Sequence, residues 1–459
     1  MGFVCALSMI TYLDRVCFGS AVSNLVRDLG LSSEADLKWA FTAFAFAYAA
    51  FEIPSGWLGD VYGPRRTLIR IVLWWSFFTA LTGAVGWHTA GYVILPGLGT
   101  LIAVRFLFGM GEAGAYPNIT RALHNWFPLQ ERGVAQGAVW MAGRLMGGLT
   151  PFVWLILVDE DWLNLNWRYA FWLFGVMGVG WCLAFSVWFR NKPEENAGVN
   201  QGELDLIRAG RSDREAGHAH VPWGKIFSSP NLWLLCLMYF CAAYGWYFNI
   251  TYLPRFLEEQ YPTQGDRGLE TLYALYKGGP LWMGAIACLL GGWLSDRVVR
   301  KTGNLKWGRR LFGICGHSLC ALCYFLSIFT GSATTFFLAV SFAAFFNDMT
   351  MGPAWATCQD IGKRYAAIVA GAMNTIGNLG GAVAGWATGT ILEKALAAHA
   401  AGVNTAIDQL SKEEKAAGML VGYNINFAVF AGVYVLAVFF WLRIDATRPV
   451  IADEAAPQA

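Results

Sequence analysis

A small set of ionisable residues stands inside long apolar runs of this sequence: Asp14, Arg15, Glu52, Arg105, Glu112, Arg144 and Asp348. A charge at mid-bilayer depth costs about 3 kcal/mol on insertion scales. A residue serving only to pack would be apolar and free of that cost, so each of these is expected to face an interior and to have a partner. Arg105 and Glu112 are seven residues apart, nearly two helical turns, and share a helix face. Tyr116 falls on the face of Glu112, Tyr48 on that of Glu52, and Asn374 and Asn378 share a face of their own. Arginine keeps its proton throughout the physiological range, so Arg15 and Arg105 suit fixed binding of a carboxylate. Carboxylates in low dielectric favour their neutral form, so Asp14 and Glu112 suit proton exchange near neutral pH. Structural ion pairing is the competing reading of all these charges. It stands equally open for Glu52 and for Asp348, which could pair with Arg144 or cap a kink before Pro353.

The elements that must hold these residues are helices. The chain of 459 residues is 56% hydrophobic and only 14% charged, against about 25% for a soluble chain. Residues 169–189, 226–254, 278–295, 365–392 and 416–442 carry no charge at all, and 311–347 is uncharged over enough length for two spans. A bilayer core takes about 20 apolar residues as helix, and backbone in hydrocarbon must satisfy its own hydrogen bonds. The pattern predicts an all-α membrane protein of twelve spans, starting near residues 2, 39, 67, 97, 132, 168, 231, 272, 310, 334, 366 and 419. The apolar opening, residues 2–12, lacks a preceding basic region and is interrupted by Asp14-Arg15, so it is expected to be a retained first helix rather than a signal peptide. A polar stretch holding Glu194, Glu195, Glu203, Asp205, Arg208, Arg211, Asp213, Arg214 and Glu215 divides the chain. The expected organisation is an N-terminal six-helix half over 1–190, a linker with a short helix near 203–209 over 191–228, and a C-terminal six-helix half over 229–459. With the N-terminus cytoplasmic, the inner connections hold Lys and Arg clusters at 65–70, 121–132, 297–310, 363–364 and 443–448 and in the linker. These outnumber Arg27, Lys38, Arg168, Arg255, Arg267, Lys277, Lys394, Lys412 and Lys415 on the outer side by about two to one. Both termini are thus expected on the cytoplasmic face of a cell (inner) membrane.

Gly56-Trp57-Leu58-Gly59-Asp60 recurs as Gly292-Trp293-Leu294-Ser295-Asp296, and the same offset carries Glu112 onto Asp348 and Pro117 onto Pro353. One offset relating two separate sites implies two halves of common plan, as in parallel repeats about an axis normal to the membrane. The first copy continues through Val61-Tyr62-Gly63-Pro64-Arg65-Arg66 and suits a latch: Gly56 and Gly59 allow close helix contact, and Asp60 can pair with a basic residue or a helix N-terminus. Gly63 and Pro64 turn the chain, and Arg65 and Arg66 anchor the inner interface. The second copy departs from this pattern, with Gly303 displaced and Arg309 and Arg310 further on.

The loop Gly56–Arg66 resembles the signature loop of the major facilitator superfamily, and the resemblance implies a conformational gate at Asp60, Gly63, Arg65, Arg66 and Asp296. Thr11-Tyr12-Leu13-Asp14-Arg15, Ala47-Tyr48, Glu52-Ile53-Pro54-Ser55-Gly56 and Arg105 through Gly114 resemble the anion:cation symporter branch of that superfamily. So do Tyr116-Pro117, Trp126-Phe127-Pro128, Glu131-Arg132, and Asn374 through Gly377-Asn378. That branch includes bacterial galactonate and hexuronate transporters, sialin and vesicular glutamate transporters. The resemblance implies that Arg15 and Arg105 contact a substrate carboxylate, that Asp14 and Glu112 couple protons, and that Tyr12, Tyr48 and Asn374 line a sugar-acid site. Two positions depart from the branch: Arg144 replaces a neutral polar residue, and Glu52 a glutamine. Arg144, placed with the substrate-binding residues, either favours a more anionic substrate or is neutralised by Asp348 or Glu52.

The expected function is proton-coupled symport of an organic anion, of sugar-acid type, by a monomer in the lipid bilayer. Anion exchange, or symport of an aromatic acid or dicarboxylate, is the alternative within transport. A membrane enzyme or receptor is the alternative from another class, and the sequence offers no nucleophile–base set, metal-ligand spacing or phosphate loop for it. Nothing calls for a cofactor or a metal: Cys320 and Cys323 match C-x-x-C without a second pair and read as packing. The net charge of +2, without a basic patch, gives no sign of nucleic-acid binding. Asn118-Ile119-Thr120 and Asn249-Ile250-Thr251 match the glycosylation pattern but fall in or near spans.

Overall fold

The computed structural model describes residues 1–31, 33–89, 92–209, 221–262 and 266–451. Apolar runs without charge become helix because nothing else satisfies their backbone in hydrocarbon. Among the described residues the spans are α1 (Gly2–Ser20), α2 (Lys38–Tyr62), α3 (Pro64–Ala84), α4 in two segments (Gly97–Glu112 and Ala115–Trp126), α5 (Arg132–Val158) and α6 (Trp167–Trp188). The second set is α7 (Pro230–Thr251), α8 (Arg267–Thr302), α9 (Leu305–Ser327), α10 in two segments (Ala333–Asp348 and Met351–Gly362), α11 (Ala366–Gly402) and α12 (Lys412–Trp441). The fold is thus the expected all-α membrane architecture of twelve spans in two six-helix halves. Large apolar side chains such as Phe46, Phe77, Val187, Ile286, Phe329, Trp386 and Val435 point outward, as lipid-facing surface requires.

Several helices start earlier than their apolar runs. α12 begins at Lys412, where Ser411 and Glu414 form a capping box, and α9 begins where the Asn304 side chain accepts from the Trp307 amide. Asp266 does the same for α8. The apolar run marks the membrane segment, whereas the cap sets where the helix begins, one or two turns into water. Among the described residues nine helical stretches are long and apolar enough to cross a membrane on composition alone, α10 and α11 counting as one stretch, and α2 and α8 are not among them. These two helices run along the seam between the halves. A two-stranded hairpin, Trp87–Thr89 paired with Tyr92–Ile94, sits between α3 and α4 and was not expected.

α4 and α10 break at equivalent points. Pro117 and Pro353 each lack an amide proton and clash with the carbonyl four residues earlier, at Ala113 and Met349, where the two helices are interrupted. At the first break Gly114 takes φ +85°. Glu112 and Asp348 each stand one residue before the break. The linker contains a short helix, Gln201–Arg208, capped by Asn200; Arg211, Asp213, Arg214 and Glu215 lie outside the described residues.

Candidate functional site

Between the halves lies a cavity of about 440 Å³, well within the size range of small-ligand sites. Its lining includes Tyr12, Arg15, Tyr48, Tyr116, Trp140 and Arg144 from the N-terminal half and Tyr239, Trp246, Tyr247, Asn249, Asn374 and Asn378 from the C-terminal half. The lining reaches Pro151, Pro254 and Lys277, on the face opposite the chain termini. On the termini side the cavity ends in rings: Tyr116 stacks on Trp140 with centroids 4.4 Å apart, Trp355 lies 5.2 Å from Trp140, and the Trp355 indole donates to the Tyr239 hydroxyl at 3.2 Å.

α1 supplies the charged wall. Tyr12 and Arg15 are three residues apart and share the cavity face, whereas Asp14, one position earlier than Arg15, turns toward Trp75 and Thr79 of α3. The Arg15 Nε donates to Glu112 Oε1 at 2.6 Å, and its guanidinium lies 4.4 Å above the Tyr48 ring. Arg15 is 27% exposed through its side chain and Glu112 only 1%. Among the described residues Glu112 Oε2 is buried without a hydrogen-bond partner, and Asp14 is fully enclosed without an ion pair. The two carboxylates expected to move protons are therefore both enclosed beside the cavity wall, with acceptor capacity left over.

Arg105 does not line this cavity. Its guanidinium sits behind the wall in a sleeve of rings, 4.0 Å from the Phe18 centroid, 4.5 Å from Phe108 and 4.8 Å from Phe44. The expectation of direct contact with an anion is not met by this conformation, because Arg105 faces the interior of the N-terminal half, where Asp14 and Glu112 are its charged neighbours. Arg144 does line the cavity. It forms a two-pronged pair with Asp348, 2.8 and 3.3 Å, donates to the Tyr12 hydroxyl at 2.6 Å and lies 3.8 Å above the Trp246 ring. Of its two candidate neutralisers the structure selects Asp348. Glu52 instead accepts from Asn374, from the Thr375 hydroxyl at 3.2 Å and from Asn378 at 3.3 Å, joining α2 to α11.

The seam is closed on the termini side. Asp60, near the end of α2, accepts from the Ala367 and Ile368 amides at 3.2 and 2.8 Å, which open α11. Asp296, in α8, accepts from the Gly133 and Val134 amides at 3.1 and 2.7 Å, which open α5. Both carboxylates thus cap a helix N-terminus of the opposite half, where the exposed amides and the dipole favour an anion. Arg309 joins this seal, reaching Asp296 at 2.6 Å and Asp360 at 3.0 Å, while Arg132 meets Asp360 at 3.1 Å. Gly63 takes φ +87°, and a Cβ there would meet Asn191 at 2.5 Å. The Arg65 amide donates to Asn191 and its guanidinium to the Ser186 carbonyl, so Arg65 ties α3 to the end of α6 within one half, and Arg66 is exposed.

The sequence holds no sign that Trp140, Tyr239, Trp246, Tyr247 or Asn249 lines a cavity; Asn249 stands out only in a glycosylation pattern. Neutral and aromatic residues stand throughout the apolar runs at no great cost, so nothing marks those that face a cavity. Arg309, Arg132 and Asp360 did carry a signal, as charges at the ends of spans with a partner of opposite sign on another.

The Major Facilitator Superfamily sequence profile matches residues 4–385. The Probable sulfoacetate transporter of Cupriavidus necator is 34% identical over 396 residues, covering 86% of this chain and 87% of that one. The Probable galactarate/D-glucarate transporter of Escherichia coli K12 is 29% identical over 409 residues, covering 84% and 85%. The D-galactonate transporter of another Escherichia coli strain is 28% identical over 389 residues, covering 81% and 84%. Among solved structures, the proton:xylose symporter XylE superposes with a TM-score of 0.66 at 15% identity, covering 97% of this chain and 96% of that one, a likeness of fold. A helical bundle in two like halves, a cavity between them and a seam latched at Asp60 and Asp296 agree with the matched profile: the chain belongs to the Major Facilitator Superfamily and is a transporter, not an enzyme.

Proposed function

We propose that this chain carries a small organic anion across a bacterial inner membrane together with protons, by alternating access between the halves 1–190 and 229–459. The sugar-acid and sulfonated-acid transporters among its relatives support the substrate class. The observation that carries the reading is the Arg15–Glu112 pair at the cavity wall. An anion entering the cavity meets Arg15 as a donor already engaged by Glu112. A carboxylate or sulfonate that takes the Arg15 guanidinium leaves Glu112 enclosed without its hydrogen-bonded counter-ion and with only the more distant Arg105 charge, a costly state in low dielectric unless Glu112 accepts a proton. Anion and proton therefore enter as a unit, and the unpaired Asp14 carboxylate is the neighbouring acceptor through which that proton passes. Arg105 acts as the fixed charge behind both acids, and Tyr12, Tyr48 and Asn374 orient the anion.

In this scheme the termini and the linker are cytoplasmic, the molecule works as a monomer, and the conformation described here is closed to the cytoplasm. The test is uptake by proteoliposomes under an imposed pH gradient. Glu112→Gln should abolish accumulation against a gradient and leave counterflow exchange measurable. Full accumulation by that variant refutes the coupling role. Wild-type uptake that needs a counter-anion and ignores the pH gradient establishes exchange instead.

A further inference from the structure

Glu112 and Asp348 hold equivalent places in the two halves, each closing the first segment of a broken helix one residue before the interruption. Each is fully buried, and each is paired with an arginine that lines the same cavity, Glu112 with Arg15 at 2.6 Å and Asp348 with Arg144 at 2.8 Å. The two arginines bracket one ring. Tyr12 lies three residues from Arg15 on α1, so their Cβ atoms are about 5–6 Å apart, and the Tyr12 hydroxyl accepts from Arg144. A single anionic group needs a single cation. A second arginine, held in the same cavity by an exchangeable carboxylate, is expensive unless it meets a second anionic group, because a buried ion pair is often no more stable than an apolar pair of like volume.

The pairs differ in one respect. Arg15 and Glu112 belong to the same half, whereas Arg144 on α5 and Asp348 on α10 belong to opposite halves. Asp348 is packed tightly against α8, where a Cβ at Gly284 would stand 2.3 Å from its Oδ2, and its Oδ1 also accepts from Asn347 at 3.1 Å. It keeps a hydrogen-bond donor when Arg144 leaves.

We propose that the substrate is a dianion whose two anionic groups engage Arg15 and Arg144, with Asp348 as the counter-ion that the second group displaces. This rests on the reading of Arg15 as the anion site given above. It makes Arg144 and Asp348 the specificity determinants for charge number. Occupation of Arg144 also releases a tie between α5 and α10, so the second anionic group loosens the seam that must part during transport.

The experiment uses two matched pairs of ligands, sulfoacetate with 2-hydroxyethanesulfonate and D-glucarate with D-gluconate. In each pair one carboxylate is replaced by a hydroxymethyl group. Binding to the purified full chain is measured by calorimetry for wild type and for Arg144→Gln/Asp348→Asn, which keeps the net charge. Wild type should bind the dianion of at least one pair about tenfold or more tighter than its partner, the worth of one charge-assisted contact. The double variant should lose that preference, the two ligands of each pair then binding about equally. Asp348→Asn alone, with Arg144 left uncompensated, should strengthen the preference. A preference that survives in the double variant overturns the proposal, and so does wild-type binding without discrimination. Absence of binding by all four anions overturns the anion-transport reading itself along with it.

Discussion

The closed seam makes a quantitative prediction at Asp296. This carboxylate accepts from the Gly133 and Val134 amides of the opposite half and from Arg309 of its own. When the halves part, the Arg309 contact travels with Asp296 and the two amide contacts are lost, so only the latter bias the conformational equilibrium. Asp296→Asn keeps the shape and one acceptor oxygen but removes the charge. One amide loses its acceptor and the other keeps only a neutral one, each change costing at least about 1 kcal/mol, and the interaction with the helix N-terminus adds about 0.3–1 kcal/mol. The closed state should lose about 2–3 kcal/mol relative to the open one, a shift of about 30- to 150-fold in population. Hydrogen exchange read by mass spectrometry checks this directly, because the amides concerned open α5. Peptides covering residues 132–137 should exchange faster by about that factor, while peptides in 97–112 stay unchanged. Exchange at 132–137 within about threefold of wild type would refute the assignment of Asp296 as a latch. Equal acceleration in both regions would point to general destabilisation.

Two further outcomes follow from packing and placement. A Cβ at Gly137 of α5 would stand 2.2 Å from the Cys288 carbonyl oxygen of α8, so Gly137→Ala should prop the seam apart and cut uptake about tenfold or more with the protein still monodisperse; uptake within twofold of wild type counts against that contact. Arg15 lines the cavity and Arg105 stands behind it, so Arg15→Gln should weaken anion binding about a hundredfold and Arg105→Gln less than about tenfold, and equal losses in calorimetry would refute the layering.

Much of the architecture was legible because the membrane penalises charge so heavily. The seven ionisable residues within apolar runs had to be interior, and the structure buries or pairs every one of them. The repeated Asp60 and Asp296 loops, with Glu112 and Asp348 carried by one offset, announced the two like halves. What failed to show was direction. Asp14 and Arg15 are neighbours in sequence, yet consecutive helical side chains diverge by about 100°, so Arg15 finds Glu112 on another helix while Asp14 faces α3. Arg105 shares a face with Glu112, but only tertiary packing tells whether that face meets a cavity or the rings of Phe18, Phe44 and Phe108. Arg309 was visible as a departure from the loop pattern, and its place between Asp296 and Asp360 required the fold. The hairpin at 87–94 is too short to betray itself by periodicity.

At the base of the seam the chains of the two halves touch without side chains between them: a Cβ at Gly292 would lie 2.2 Å from the Gly133 carbonyl oxygen, and one at Gly352 would lie 2.8 Å from the same oxygen. Main chain in van der Waals contact leaves no room at this point for a file of water between the halves. In the proposed proton-coupled cycle this contact has a further consequence: a proton gradient would not discharge at this point through an idle molecule, and a proton would cross here only when a half moves.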